Sequence, residues 1–281
     1  QQTIAFVKAD HEGGGFGTAL TVRRYLEGAC TRAEQLGFKV EDFWLGEKGM
    51  SEQRMSDILR ARGISGLLLA PLPLPMETVS LQWDQFAPVV FGYSMRNPKL
   101  HRVTNHQIQS MHLALAEARR LGYRRIGLAL DLSKDVRVDR NWTTGMLPYQ
   151  MSIPPEDRVE PFLPGEVTPK GLIEWVRKER PEVVLGSRRV IVDWLREAGW
   201  QIPEKIGFVS LEYYPDHGDV AGVDHNSLSI GATAVELVVE QLFHNQRGVP
   251  ATPKVVMIEG LWHPGGTVSH RLKAARPESQ G

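Results

Sequence analysis

The feature that most constrains this chain is a repeated joint. Leu36-Gly37-Phe38, Leu121-Gly122-Tyr123 and Ala198-Gly199-Trp200 each close a helix-periodic run with a glycine and pass through an aromatic residue into a new strand. A glycine past the end of a helix takes positive φ and lets the last carbonyls be satisfied, so each joint predicts a helix stop followed directly by a strand. Strand and helix in strict alternation imply parallel pairing through crossover connections. The pattern argues against a helical bundle.

The segments between the joints carry the matching periods. Thr3 to Lys8, Ile64 to Ala70, Pro88 to Tyr93, Arg124 to Leu130, Glu182 to Gly186, Ile206 to Leu211 and Lys254 to Glu259 read as short apolar strands. Helical spacing runs over Thr18 to Leu36, Ser51 to Arg62, His106 to Leu121, Asn141 to Gln150, Val190 to Ala198 and Asn226 to Phe243, and Thr168-Pro169 opens one more helix. About nine strands are expected in all, more than one compact sheet of the usual size holds. The fold class is therefore α/β, with two similar parallel sheets flanked by helices.

Composition enters as a set of exclusions. The 33 basic residues balance 33 acidic ones, with no basic block, so this chain does not grip nucleic acid by its own electrostatics. A lone Cys30 forms no internal disulfide, which favours a reducing compartment and a cytoplasmic location. Apolar runs such as Gly66 to Pro75 fall far short of the roughly 20 residues that span a bilayer, so no membrane partner is expected. No charged-then-apolar leader opens the chain.

Catalytic and cofactor motifs are missing. His11-Glu12-Gly13-Gly14-Gly15-Phe16-Gly17 follows a strand and precedes a helix, yet Leu20 stands where a dinucleotide fingerprint needs its third glycine. It reads as a loop at a cleft rim. The histidines form no H-E-x-x-H, and no G-x-S-x-G elbow surrounds a serine. No cofactor, metal site or catalytic residue is expected.

There remains a set of polar and aromatic residues at predicted strand ends, where open parallel sheets bind ligands. Asp10 follows the first strand; Arg137, Arg140 and Trp142 follow Leu128 to Leu130; Ser187 and Arg188 follow Val183 to Gly186; Glu212, Tyr213 and Tyr214 follow Phe208 to Leu211. Ring faces pack on sugar C–H faces while carboxylate and guanidinium groups pair with hydroxyls, so the set suits a polyhydroxylated ligand. The same residues fit plainer roles: Trp142 and Tyr213 as core, Arg140 as a solvated charge, Glu212 as a cap.

Four stretches together resemble the effector-binding core of the LacI/GalR family of bacterial transcription regulators: YLEGACTRAEQLGFKV, ARRLGYRRIGLAL, WLREAGWQIPEKIGFVSLE and VDHNSLSIGATAVELV. HPGGT at His263 to Thr267 sits where family members commonly close, and the likeness covers about residues 3 to 268. It implies a periplasmic-binding-protein-like type I fold, with two doubly wound subdomains joined by three crossovers. The N-subdomain would take 1–121 plus 228–250 and the C-subdomain 122–227 plus 251–272, with 273–281 a frayed tail. A small-molecule effector, a sugar for most of the family, would lie between them. A homodimer would reach operator DNA only through an N-terminal helix-turn-helix domain, which this chain lacks.

The resemblance also assigns roles to residues. Trp142, three before Gly145, stands where the family has an effector-contacting arginine, with Arg140 two positions earlier. Ser187-Arg188 replaces an asparagine-aspartate pair, and Glu212 matches a strand-closing carboxylate. His106 replaces a turn-opening aspartate, with Gln109 one turn on, and His225 and Ser227 fall at hinge positions that touch effector. Thr18, at the start of the first helix, completes the candidate set. The alternatives weighed are a periplasmic sugar-binding protein of a transport system and, from another class, an α/β sugar-acting enzyme.

Overall fold

The computed structural model describes residues 2–10, 16–73 and 76–271, with side chains from residue 20 onward in the second stretch. Most of the glycine-rich loop, 11–15, and the tail 273–281 lie outside the described residues. In chain order the elements are β1 (Gln2–Lys8), α1 (Phe16–Gln35), β2 (Phe38–Trp44), α2 (Glu52–Ala61), β3 (Gly66–Leu69), β4 (Ala87–Phe91) and β5 (His101–Asn105). Next come α3 (Gln107–Arg120), β6 (Ile126–Ala129), α4 (Leu132–Arg137), α5 (Asn141–Ser152), α6 (Pro169–Glu179), β7 (Val183–Gly186) and α7 (Val190–Glu197). The chain continues through β8 (Gly207–Tyr213), β9 (Gly222–Asp224), α8 (Ser227–Phe243), β10 (Val255–Ile258) and β11 (Leu261–His263).

All three glycine joints form as the sequence requires: φ is +79° at Gly37, +96° at Gly122 and +91° at Gly199. Each is a conformation that a Cβ disfavours, which is why glycine stands there. The chain divides into two compact units, Gln1–His106 with Asn226–Glu259, and Gln107–His225 with Gly260–Gly281. It passes from one to the other three times, after His106, His225 and Glu259.

The first unit is a parallel sheet in the order β10-β5-β4-β3-β1-β2. Strand alternation sorts its apolar residues onto both faces. Ile4, Phe6, Leu68 and Val89 pack with Tyr25 and Ala29 of α1 and Ile230 and Ala234 of α8, while Ala5, Val7, Leu67 and Leu69 pack with Met55 and Leu59 of α2.

The second unit has the order β11-β9-β8-β7-β6, parallel except for β11, which runs antiparallel to β9. One face buries Ile126, Leu128, Leu185 and Val209 against Met111 and Ala114 of α3 and Met146 of α5. The other buries Val184 and Phe208 against Leu172 and Trp175 of α6 and Leu195 of α7. The α6 start is as expected, with Pro169 in the first turn and the Thr168 hydroxyl accepting the Gly171 N–H at 3.2 Å.

Of the three expected boundaries, the one at 227/228 is off by two residues and the other two differ by more. Helix α3, assigned to the N-subdomain by the limit at 121, belongs to the second unit, because Met111, Ala114, Leu115 and Ala118 are buried in that unit's core. The 251–259 stretch, assigned to the C-subdomain, belongs to the first unit, because β10 pairs with β5.

Candidate functional site

Strand-end residues of the second unit are set by the turns after β6, β7 and β8. After β6, the Asp131 carboxylate accepts the Val167 N–H at 2.7 Å and α4 begins. Asp135 of α4 is wholly buried and accepts the Thr143 N–H at 3.2 Å and the Thr143 hydroxyl at 2.7 Å. That buried carboxylate joins the end of α4 to the start of α5 and fixes the residues between them. Arg140 lies in this join with φ +57°, and its side chain is exposed.

Because β6 and β7 are neighbours, with Ala129 opposite Gly186, the segments that leave their ends stand side by side. The Lys134 ammonium donates to the Ser187 hydroxyl at 3.2 Å, and Ser187 is buried. Arg188 donates to the Val167 carbonyl at 3.0 Å and holds its guanidinium carbon 5.0 Å from the Trp194 ring centroid. Arg189 pairs with Asp193 one turn along α7.

On β8, the Glu212 N–H donates to the Ser210 hydroxyl at 3.3 Å and the side chain is half-buried. Its carboxylate faces Arg137: burial lowers the Arg137 pKa, and the charge of Glu212 opposes that shift. The next residue, Tyr213, is buried, and burial followed by the Asp224 charge raises its phenol pKa. Its ring stacks on His263 with centroids 3.9 Å apart, and His217 meets it edge-on at 6.2 Å. Burial, with Arg189 second, lowers the His217 pKa against the pull of Glu212 and Asp216. Nδ1 of His217 is buried with no hydrogen-bond partner among the described residues.

Trp142 and His225 form a separate pair. The indole is 1% exposed and packs in the core with Met111 and Leu128, which is the plainer of the two roles open to it. His225 stacks on it at 5.9 Å and places Nε2 2.6 Å from the Leu211 carbonyl oxygen. A carbonyl only accepts, so Nε2 carries the proton.

The remaining candidates do other things. Gln109 accepts the Gly260 N–H at 2.9 Å and so braces the crossover after Glu259. In the first unit, the His106 N–H donates to the Ile258 carbonyl at 2.9 Å. Asp10 gives its backbone carbonyl to the Trp44 indole N–H beside a recess also lined by Lys8, Asp42 and Phe43. Thr18 lies in the first turn of α1, and its side chain is not described.

The structure therefore places Ser187, Glu212 and Arg137, of the expected strand-end residues, with Lys134 at the strand ends of the second unit. Tyr213 sits in an aromatic group beside them. Sequence reasoning missed Lys134, Arg189 and His217; the one usable signal was a lysine within one turn of the helix after β6. Among the described residues no cluster of three His, Cys, Asp or Glu side chains could hold a metal ion. No described helix is long and apolar enough to cross a membrane.

No protein-family model and no curated protein matches the chain. Solved structures do. A LacI transcriptional regulator from a Rhodococcus species superposes with a TM-score of 0.68 at 13% identity, over 96% of this chain and 99% of that one. A LacI family regulator from Enterococcus faecium with bound ribose gives 0.63 at 15%, over 96% and 100%. The regulator CcpA from Weissella paramesenteroides with bound glucose gives 0.66 at 12%, over 96% and 99%. At these identities the likeness is one of fold, and it extends over nearly the full length of each chain.

Proposed function

We propose, from the fold shared with LacI-family regulators, that this chain is the effector-binding core of a transcriptional regulator. Its ligand is a small molecule, a sugar, held at the strand-end face of the second unit. The observation that carries the reading is the near-complete mutual coverage with regulator structures, two of which contain ribose or glucose. The chemistry of the face supports it: a carboxylate on Glu212, a guanidinium on Arg137 and a hydroxyl on Ser187 form a polar set that can exchange paired hydrogen bonds with sugar hydroxyls.

In this reading the ligand acts by preferring one arrangement of the two units, and a dimer transmits that preference to DNA-binding domains that precede the core. A ligand with equal affinity for both arrangements would change nothing. Calorimetric titration with a panel of mono- and disaccharides tests the binding step. Saturable one-to-one heat with a sugar, lost in Glu212→Ala, is the expected result. No heat with any sugar, or turnover of one that binds, would overturn the reading. Sedimentation of the same sample should show a dimer at tens of micromolar, a rough range for an interface of standard size.

A further inference from the structure

The strand-end face holds an uncompensated cation. The carboxylates there are engaged, Glu212 by the charge of Arg137, Asp193 by Arg189, Asp131 by the Val167 N–H and Asp135 by both donors of Thr143, while Arg188 donates to the Val167 carbonyl and lies over the Trp194 ring. Lys134 differs. Its ammonium is partly withdrawn from water, touches the buried Ser187 hydroxyl at 3.2 Å, and has no carboxylate within ion-pair distance among the described residues. A hydroxyl is a weaker partner for a part-buried ammonium than an anion is, and a counter-charge would strengthen the contact.

We infer that the ligand of this face is an anionic sugar, with Lys134 as the counter-ion of its phosphate or carboxylate and Ser187 as a second donor to the same group. The inference rests on the sugar-binding reading above and narrows it. Geometry assigns the two ends of the ligand. Lys134 and Ser187 stand after the paired strands β6 and β7, whereas Glu212 lies on β8, on the far side of β7 from β6. Glu212 accepts from hydroxyls and would repel an anion placed against it. The charged group therefore belongs at the β6–β7 end and the neutral hydroxyls at the β8 end.

The test is calorimetry on the whole chain with matched probes: ribose and ribose 5-phosphate, glucose with glucose 6-phosphate and glucuronate, and inorganic phosphate alone. At least one charged probe is expected to bind tenfold or more tightly than its neutral parent. Lys134→Met should bring the charged probe's affinity down to that of its neutral parent measured on the same variant, and Lys134→Arg should restore the preference. The ester and uronate arms tell phosphate from carboxylate. Neutral sugars that bind as well as their charged partners would overturn the inference and leave the sugar-binding reading standing. A preference that survives in Lys134→Met would overturn the role of Lys134, and inorganic phosphate binding as tightly as the esters would overturn the sugar part. No binding by any probe would remove both readings.

Discussion

The imidazole of His263 lies flat against the phenol of Tyr213, with centroids 3.9 Å apart and planes 13° from parallel. The two residues are on strands that are not neighbours, since β9 runs between β8 and β11. Contact across that strand depends on Gly222, which pairs with His263 and sits beside Tyr213. A Cβ built on Gly222 would lie 2.5 Å from the Ser210 carbonyl oxygen and 3.1 Å from the Tyr213 Cβ. Gly222→Ala should therefore destabilise the protein by about 1–3 kcal/mol, the usual cost of overpacking. Chemical denaturation measures this, and a midpoint equal to wild type would contradict the account of the stack.

Helices α1 and α8 meet backbone to backbone through a pair of glycines. A Cβ on Gly28 would lie 2.0 Å from the Leu228 carbonyl oxygen, and one on Gly231 would lie 2.0 Å from the Tyr25 carbonyl oxygen. Either alanine variant must push the helices apart, with an expected loss of about 1–3 kcal/mol. Gly37 makes a useful contrast, because its φ is +79° and nothing lies within 4 Å of a built Cβ. Gly37→Ala should cost only the backbone strain, about 1–2 kcal/mol. In thermal melts the two helix-contact variants should fall at or below Gly37→Ala.

Trp142 is the candidate most changed by its surroundings. With the indole in the core, Trp142→Ala should cost about 3–5 kcal/mol. Any loss of ligand affinity in that variant reports unfolding as much as contact. Trp142→Phe keeps most of the volume and should retain both fold and binding, as read by melting temperature and calorimetry.

Acid sensitivity should come from buried histidines. His101 is 6% exposed, and its Nδ1 accepts the Lys254 N–H at 2.9 Å, so it must be unprotonated there. Burial lowers its pKa, the Lys254 charge adds to that, and Glu240 opposes it. The unfolded chain takes the proton near the ordinary value of about 6.5 while the folded one resists it. This contribution to stability is therefore complete above that value and declines as pH falls toward the lower folded pKa. His217 shifts in the same direction. His101→Gln should show a smaller drop in melting temperature between pH 7.5 and 5.5 than wild type. An equal drop would mean that His101 does not carry the effect.

Much of the fold is legible because the strands of a doubly covered parallel sheet are plain apolar runs and the joints between them are marked by glycine. Strand β5 is not, since it reads His101-Arg102-Val103-Thr104-Asn105. Its polar side chains are buried against specific partners: His101 takes the Lys254 N–H, and Arg102 donates to the Gly92 carbonyl at 2.6 Å. Hydropathy cannot anticipate such pairings. Strands β9 and β11 are three residues each, too short to carry a period. The home of α3 escapes sequence reading because helical spacing shows which face is buried but not which sheet buries it.

The site is legible only to the level of position along a strand. Ser187 and Glu212 stand out because they end apolar runs. Trp142 reads as ligand-facing from the same kind of position, but the Asp135–Thr143 connection turns its helix so that the indole enters the core. Lys134 lies inside a six-residue helix that has no apolar period of its own, and its contact with Ser187 is created by strand order.

The central claim is that the strand-end face of the second unit binds a sugar through Glu212. Titration calorimetry of wild type and Glu212→Ala with the sugar panel tests it most directly. The account predicts one-to-one binding by wild type and at least a tenfold loss in Glu212→Ala, with both proteins melting within about 2 °C of each other, as a substitution within about 0.5 kcal/mol of neutral would allow. Equal affinity in the two folded proteins, or no binding in either, would contradict it.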